Sequence, residues 1–195
     1  MRQSQPYKSV YILGDHYSGK STLVHRIIGS IADADITVTK PDDMTTTYHV
    51  VESDNTRYEV TDVRTNELYF AYNCGDIAKS ADLLIMVYES ENVESIKMCK
   101  KLLDNMADSF NSYKHIIFVG NKSDVVSKTN PAMTSVTKQI ISQKHQNYEI
   151  VNSLTISALD GRNFITLNKA MRKQLGLKTE ESCCLFTRRR TDSRV

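Results

Sequence analysis

The sequence has no long hydrophobic run. Its longest unbroken apolar stretch is Leu83–Tyr88, against the roughly 20 residues needed to cross a bilayer. Met1–Lys8 likewise lacks an apolar stretch of secretory-signal length. Cysteine is scarce. Cys74, Cys99, Cys183 and Cys184 are spaced neither as metal ligands nor as a disulfide framework, so a reduced, cytoplasmic protein is the expectation. An excess of one charge sign is missing too. The 25 Lys+Arg nearly balance 23 Asp+Glu, for a net charge of +2. That surplus lies wholly beyond Leu175, where Lys178, Arg188, Arg189, Arg190 and Arg194 outnumber Glu180, Glu181 and Asp192. The neutral remainder excludes the broad basic face that nucleic-acid binding needs. No internal repeat or low-complexity segment precedes the tail.

What is present is a run of short apolar segments alternating with helical patterns. Ser9–Leu13 reads as a strand and Lys20–Gly29 as a helix. Tyr48–Glu52 and Arg57–Asp62 read as a hairpin around Ser53-Asp54-Asn55. Ala81–Tyr88 reads as a strand buried on both faces. Glu91–Phe110 is an amphipathic helix, with Val93, Ile96, Cys99, Leu103, Met106 and Phe110 at three- and four-residue steps. His115–Gly120 is the next strand, and Asn130-Pro131 opens a helix to about His145. Glu149–Ile156 is a strand and Gly161–Leu175 a helix. The order β-α-β-β-α-β-α-β-α-β-α predicts an α/β domain over residues 1–176, a mostly parallel sheet with helices on both faces. Residues 177–195 have no apolar stripe and read as a flexible basic tail. Ligands of such sheets sit at the carboxyl ends of the strands. The informative loops therefore follow Leu13, Asp62, Gly120 and Ile156.

Gly14-Asp15-His16-Tyr17-Ser18-Gly19-Lys20-Ser21 fits G-x-x-x-x-G-K-[ST] between a strand and a helix. Backbone N–H groups from Asp15 through His16, Tyr17, Ser18, Gly19, Lys20, Ser21 and Thr22 would cradle phosphate oxygens, and the helix N-terminus adds a favourable dipole. Lys20 would reach the β- and γ-phosphates, and the Ser21 hydroxyl would ligate Mg²⁺.

Asn121-Lys122-Ser123-Asp124 directly follows the strand HIIFVG. Asp124 presents two acceptor oxygens in a plane. Guanine can donate to both, from its ring N–H and its exocyclic amine, and adenine cannot. Leaving a buried carboxylate unpaired with the wrong base supplies about 10⁴–10⁵ in discrimination. Ser157-Ala158-Leu159 follows the last strand, and a backbone N–H there could donate to the guanine carbonyl oxygen.

With GDHYSGKS, Asp62, NKSD and SAL in this order and approximate spacing, the sequence resembles the Ras-superfamily small GTPases over roughly residues 7–176. The stretch LLIMVYESENVESI looks most like the Rab branch. The resemblance implies a three-layer P-loop NTPase G-domain with a six-stranded sheet, GTP/GDP and Mg²⁺ as ligands, and a switch between two conformations. By position Lys20, Ser21, Asp62 (through water to the metal), Asn121, Lys122, Asp124 and Ala158 inherit the family's roles. Residues between Asp124 and Glu149 are more numerous than the family usually has.

Departures from the family cluster in the switches. Thr65 replaces a glycine whose N–H meets the γ-phosphate; it keeps the N–H but lacks access to positive φ. Asn66 replaces the glutamine that orients the attacking water and is one methylene shorter. His16 and Tyr17 stand where the family usually has small residues. They would crowd the γ-phosphate and a partner's arginine finger unless both side chains point to solvent. His16 or Arg64 could instead supply a substitute catalytic group. Thr39, 18 residues after Ser21, is the expected switch threonine on the metal, with Thr45, Thr46 and Thr47 as alternatives that more readily begin the hairpin strand.

The expected function is a Rab/Ras-type regulatory switch with slow GTP hydrolysis, Lys20 and Asn66 being the catalytic candidates. Its protein partners would be effectors and regulators. The alternative is a pseudo-GTPase serving as an adaptor. An ATP-dependent kinase or ATPase is disfavoured by the NKSD loop. In the tail, Cys183 and Cys184 lie too far from Val195 for C-a-a-X prenylation. S-palmitoylation there, with Arg188, Arg189 and Arg190 against an anionic membrane surface, is one alternative to an unmodified tail. A PDZ ligand ending Ser193-Arg194-Val195 is another.

Overall fold

The computed structural model describes residues 7–64, 67–126 and 131–178. The elements are β1 (Lys8–Gly14), α1 (Lys20–Gly29), β2 (Ala34–Thr39), β3 (Thr45–Glu52), β4 (Arg57–Val63), α2 (Glu67–Ser80), β5 (Leu83–Glu89), α3 (Val93–Ala107), β6 (Lys114–Asn121), α4 (Pro131–Ile141), β7 (Tyr148–Thr155) and α5 (Phe164–Gln174). They form one sheet in the order β2-β3-β4-β1-β5-β6-β7. Strand β1 pairs in parallel with β4 and β5, and β5–β6 and β6–β7 continue in parallel. The β2–β3 and β3–β4 pairs are antiparallel.

The expected α/β architecture holds, with one correction: the sheet has seven strands, not six. The addition is β2, paired from Ala34↔Glu52 to Thr39↔Thr47. Ala34, Ile36 and Val38 alternate with Asp35, Thr37 and Thr39, the period of a strand. However, β2 is short, lies at the sheet edge and is exposed at four of its six residues. No continuous apolar run announces it.

Period-two alternation in the central strands builds two cores. Leu83, Ile85 and Val87 join Val10 and Ile12 under α1 and α5, where Leu23, Val24, Ile27, Leu167 and Met171 complete the layer. Leu84, Met86 and Tyr88 face the other way with Leu13, Ile116 and Phe118, under α2, α3 and α4. Sandwiching the parallel strands between helices removes both faces from water.

Helix ends follow local chemistry. The Asn92 side chain caps α3 by accepting from the N–H groups of Glu94 and Ser95, so α3 starts at Val93, not Glu91. Gly161 (φ +87°) and Asn163 (φ +57°) are left-handed, which delays α5 to Phe164. Helix α4 ends at Ile141, short of the expected His145.

Candidate functional site

Four loops at the carboxyl ends of β1, β4, β6 and β7 carry the predicted site. The first leaves β1 through Gly14 at φ +142°, where an added Cβ would lie 1.9 Å from the Val87 carbonyl oxygen. The Asp15 N–H donates to that same carbonyl at 3.2 Å, so glycine lets the loop lie flat against β5. The loop closes at Gly19 (φ +86°), where a Cβ would come 2.4 Å from Nδ2 of Asn121. Gly19 is the N-cap of α1, provides no side-chain cap, and is followed by a first turn without acidic residues. That helix start is suited to an anion supplied from outside.

Lys20 is buried. Its ammonium donates to the carbonyls of Gly14 (3.2 Å) and Asp15 (2.6 Å). Burial pulls its pKa below the ordinary lysine value, and the Asp62 carboxylate works in the opposite direction. Asp62, also buried, sits on β4 beside Ile12 of β1. Its Oδ1 is buried without a hydrogen-bond partner. An orphaned carboxylate oxygen next to a phosphate loop fits a water-mediated magnesium shell. Ser21, exposed in the first turn of α1, would supply a hydroxyl to such a shell. Thr22 beside it is exposed as well.

The loops after β6 and β7 are tied to the phosphate loop by one side chain. Asn121, at the end of β6 and 2% exposed, donates from Nδ2 to the Ser18 carbonyl at 2.9 Å. Its Oδ1 accepts from the Ala158 N–H at 2.8 Å. Of the amides in Ser157-Ala158-Leu159, that of Ala158 is thus committed inside the protein. Lys122 is left-handed (φ +63°) and its ammonium lies 3.5 Å from Glu89. Ser157 donates to Asp124 Oδ1 at 2.6 Å and accepts from the Asp160 N–H at 3.1 Å, which fixes the carboxylate expected to read guanine. Leu159 is 72% exposed beside it in sequence.

Two arginines that carry no motif complete the arrangement. Arg162 donates to the Ser123 carbonyl at 3.0 Å and pairs with Asp160 at 3.2 Å. Arg26 of α1 donates to the carbonyls of Ala158 and Leu159. Nothing in the spacing of the sequence marks either.

The candidates for the switch threonine lie on β2 and β3. Thr39 ends β2, and its hydroxyl lies 3.0 Å from His49 Nε2. Thr45, Thr46 and Thr47 open β3 as strand residues. Thr45 donates to Asp42 at 2.9 Å, and Thr47 meets Thr61 at 3.0 Å. His16 and Tyr17 are both exposed, Tyr17 at 80%, with their rings edge to face at 3.9 Å. Tyr17 is left-handed (φ +57°), a strained backbone for a bulky residue. Thr65 and Asn66 lie outside the described residues, as do Cys183, Cys184, Arg188, Arg189 and Arg190 of the tail. Among the described residues no helix is long and apolar enough to cross a membrane.

The model of the Ras family matches residues 9–175. No curated protein sequence matches. Among solved structures, the chain is similar to a GTP-binding protein from the hyperthermophilic archaeon Sulfolobus solfataricus in complex with GDP. That match has 19% identity and a TM-score of 0.60, covering 87% of this chain and 52% of that one. An SsGBP complex with GDP matches at 18% identity and a TM-score of 0.60, over 90% and 52%. A variant of SsGBP matches at 19% and 0.57, over 87% and 57%. The chain therefore spans just over half the length of these structures, and at such identity they speak for the fold. A family match across most of the sequence, on a fold that brings the phosphate loop, Asp62 and the loops after β6 and β7 to one end of the sheet, identifies the chain as a member of the Ras family.

Proposed function

We propose that the protein is a regulatory guanine-nucleotide switch of Rab type that binds GTP and GDP with Mg²⁺ and hydrolyses GTP slowly. The observation that carries this reading is Asn121. One buried side chain joins the phosphate loop at Ser18 to the base loop at Ala158, so phosphate and base recognition are built as a unit. Asp124 accepts from the guanine ring N–H and amine, and Lys20 meets the β- and γ-phosphate oxygens. Ser21, and Asp62 through water, would hold Mg²⁺, whose charge neutralises those oxygens. In hydrolysis a water attacks the γ-phosphorus and GDP leaves with the bridging oxygen. The slow step is orienting that water, because Asn66 has replaced glutamine.

A second reading, a nucleotide-holding adaptor without turnover, draws on Thr39. Its hydroxyl is engaged by His49 in the sheet and would have to leave that partner to ligate a metal. Single-turnover hydrolysis of radiolabelled GTP separates the two. A rate well below that of unaltered small GTPases is expected. Turnover at the ordinary family rate, abolished by Asn66→Ala, would overturn slow hydrolysis, and no turnover at all would favour the adaptor. Effector and regulator binding through the switches belongs to the same proposal. So does contact of Cys183, Cys184 and the Arg188–Arg190 cluster with a membrane, and a membrane fraction unchanged by Cys183→Ser with Cys184→Ser would argue against palmitoyl anchoring.

A further inference from the structure

Arg26 lies six residues after Lys20 on α1, about 9 Å further along the helix. The same helix offers its first turn to phosphate. Arg26 reaches across to the loop after β7, where Nε donates to the Ala158 carbonyl and Nη2 to the Leu159 carbonyl. We propose that Arg26 is a positioning residue for guanine recognition, setting two successive peptide planes so that the loop reads the base. The inference rests on the guanine-nucleotide reading above.

In a trans peptide the C=O and the following N–H point in opposite directions. Holding the Leu159 carbonyl toward α1 turns the Asp160 N–H away from it, and that N–H donates to Ser157 Oγ at 3.1 Å. Ser157 in turn donates to Asp124 Oδ1 at 2.6 Å. Holding the Ala158 carbonyl the same way turns the Leu159 N–H away from α1 too, as it does the Asp160 N–H. That amide stands free to meet a base carbonyl there, whereas the Ala158 N–H is committed to Asn121. Arg26 thus acts on both groups that distinguish guanine, the Asp124 carboxylate and a carbonyl-directed amide.

Gly161 makes room for this. An added Cβ would lie 2.8 Å from Arg26 Nη1, and the backbone is at φ +87°. The guanidinium therefore occupies space left by an absent side chain. Lysine could replace it only in part, because a single ammonium lacks the planar fork that meets two carbonyls at once.

The test compares GDP with 2-aminopurine riboside diphosphate, which lacks both the ring N–H and the carbonyl that these groups address. Full-length wild type, Arg26→Ala, Arg26→Lys and Arg26→Gln are titrated with each nucleotide, and circular dichroism checks that each variant folds. Arg26→Ala is expected to weaken GDP about tenfold, the scale of losing a charge-assisted hydrogen-bond pair, and to leave the analogue nearly unchanged. Arg26→Lys and Arg26→Gln should fall between. If Arg26→Ala does not fold, the same base-selective loss is read in Arg26→Gln. An equal loss for both nucleotides would mean a general structural role and overturn the proposal, as would an unchanged GDP affinity. A wild type that binds neither nucleotide would instead defeat the guanine-nucleotide reading itself, and this inference with it.

Discussion

Burial moves Lys20 and Cys99 in opposite directions for one reason: it disfavours whichever form is charged. Lys20 is drawn below its ordinary pKa. Cys99, on α3 beneath the phosphate loop, donates its thiol to the Val87 carbonyl at 3.3 Å, and burial pushes its pKa up to about 12. In the unfolded chain that thiol ionises near its ordinary value of 9.0. Its contribution to stability is therefore complete below pH 9 and is lost as the pH rises toward 12. Between pH 8 and pH 10 this single group should remove on the order of 1 kcal/mol. Urea unfolding of wild type and Cys99→Ala at the two pH values, under reductant, checks this. The wild type should lose more stability than the variant by that amount, and parallel losses would mean that the thiol does not stay neutral in the fold. The residues of the phosphate loop were legible in sequence because their chemistry is local: glycines at fixed offsets, then lysine and a hydroxyl. Cys99 and Arg26 were not, because each gains its role from a chain segment far away in sequence.

At the scale of elements, α5 and the β3–β4 hairpin are clasped together. Arg172 meets both carboxylate oxygens of Glu52, at 2.5 and 3.0 Å, with both side chains 14% exposed. Tyr58 Oη donates to the same Glu52 at 3.1 Å. Removing Arg172 would leave a largely buried carboxylate without its cation. Arg172→Ala is thus expected to cost about 2–3 kcal/mol, while Glu52→Gln with Arg172→Met should cost less than the single change. Thermal unfolding of the four members of that cycle measures the coupling. Most elements were readable from period and caps, β5 from its unbroken apolar run and α3 from its apolar stripe. Strand β2 escaped because its partner is β3, and pairing of an exposed edge is a tertiary event with only a weak local pattern. The same pairing places Thr39 at the end of a strand, with its hydroxyl beside His49.

At the scale of the whole molecule, the carboxyl ends of β1, β4, β6 and β7 lie at one end of a sheet whose two cores are built from alternate residues of the same strands. A ligand held there touches both halves of the chain, so binding and global stability are linked. At about 100 times its Kd, GDP should raise unfolding free energy by about 2.7 kcal/mol, and chelating Mg²⁺ should reduce that increment. Denaturant titrations with GDP, with and without EDTA, give the comparison. An increment unaffected by EDTA would mean that Ser21 and Asp62 do not hold the ion. The seven-strand order was beyond the sequence reading, but the converging loops were not, because strand–loop–helix alternation fixes which ends face the ligand.

Strand β2 has one more consequence. Without it, the open side of the sheet would be β3, whose Tyr48, His49, Val50 and Val51 form a strongly strand-prone run. Such an edge is a template for pairing with other chains. The six residues of β2 cover it and offer instead a short margin interrupted by Asp35 and flanked by Asp33 and Lys40. Short and charged margins discourage edge-to-edge aggregation, so β2 serves solubility whatever else that segment does.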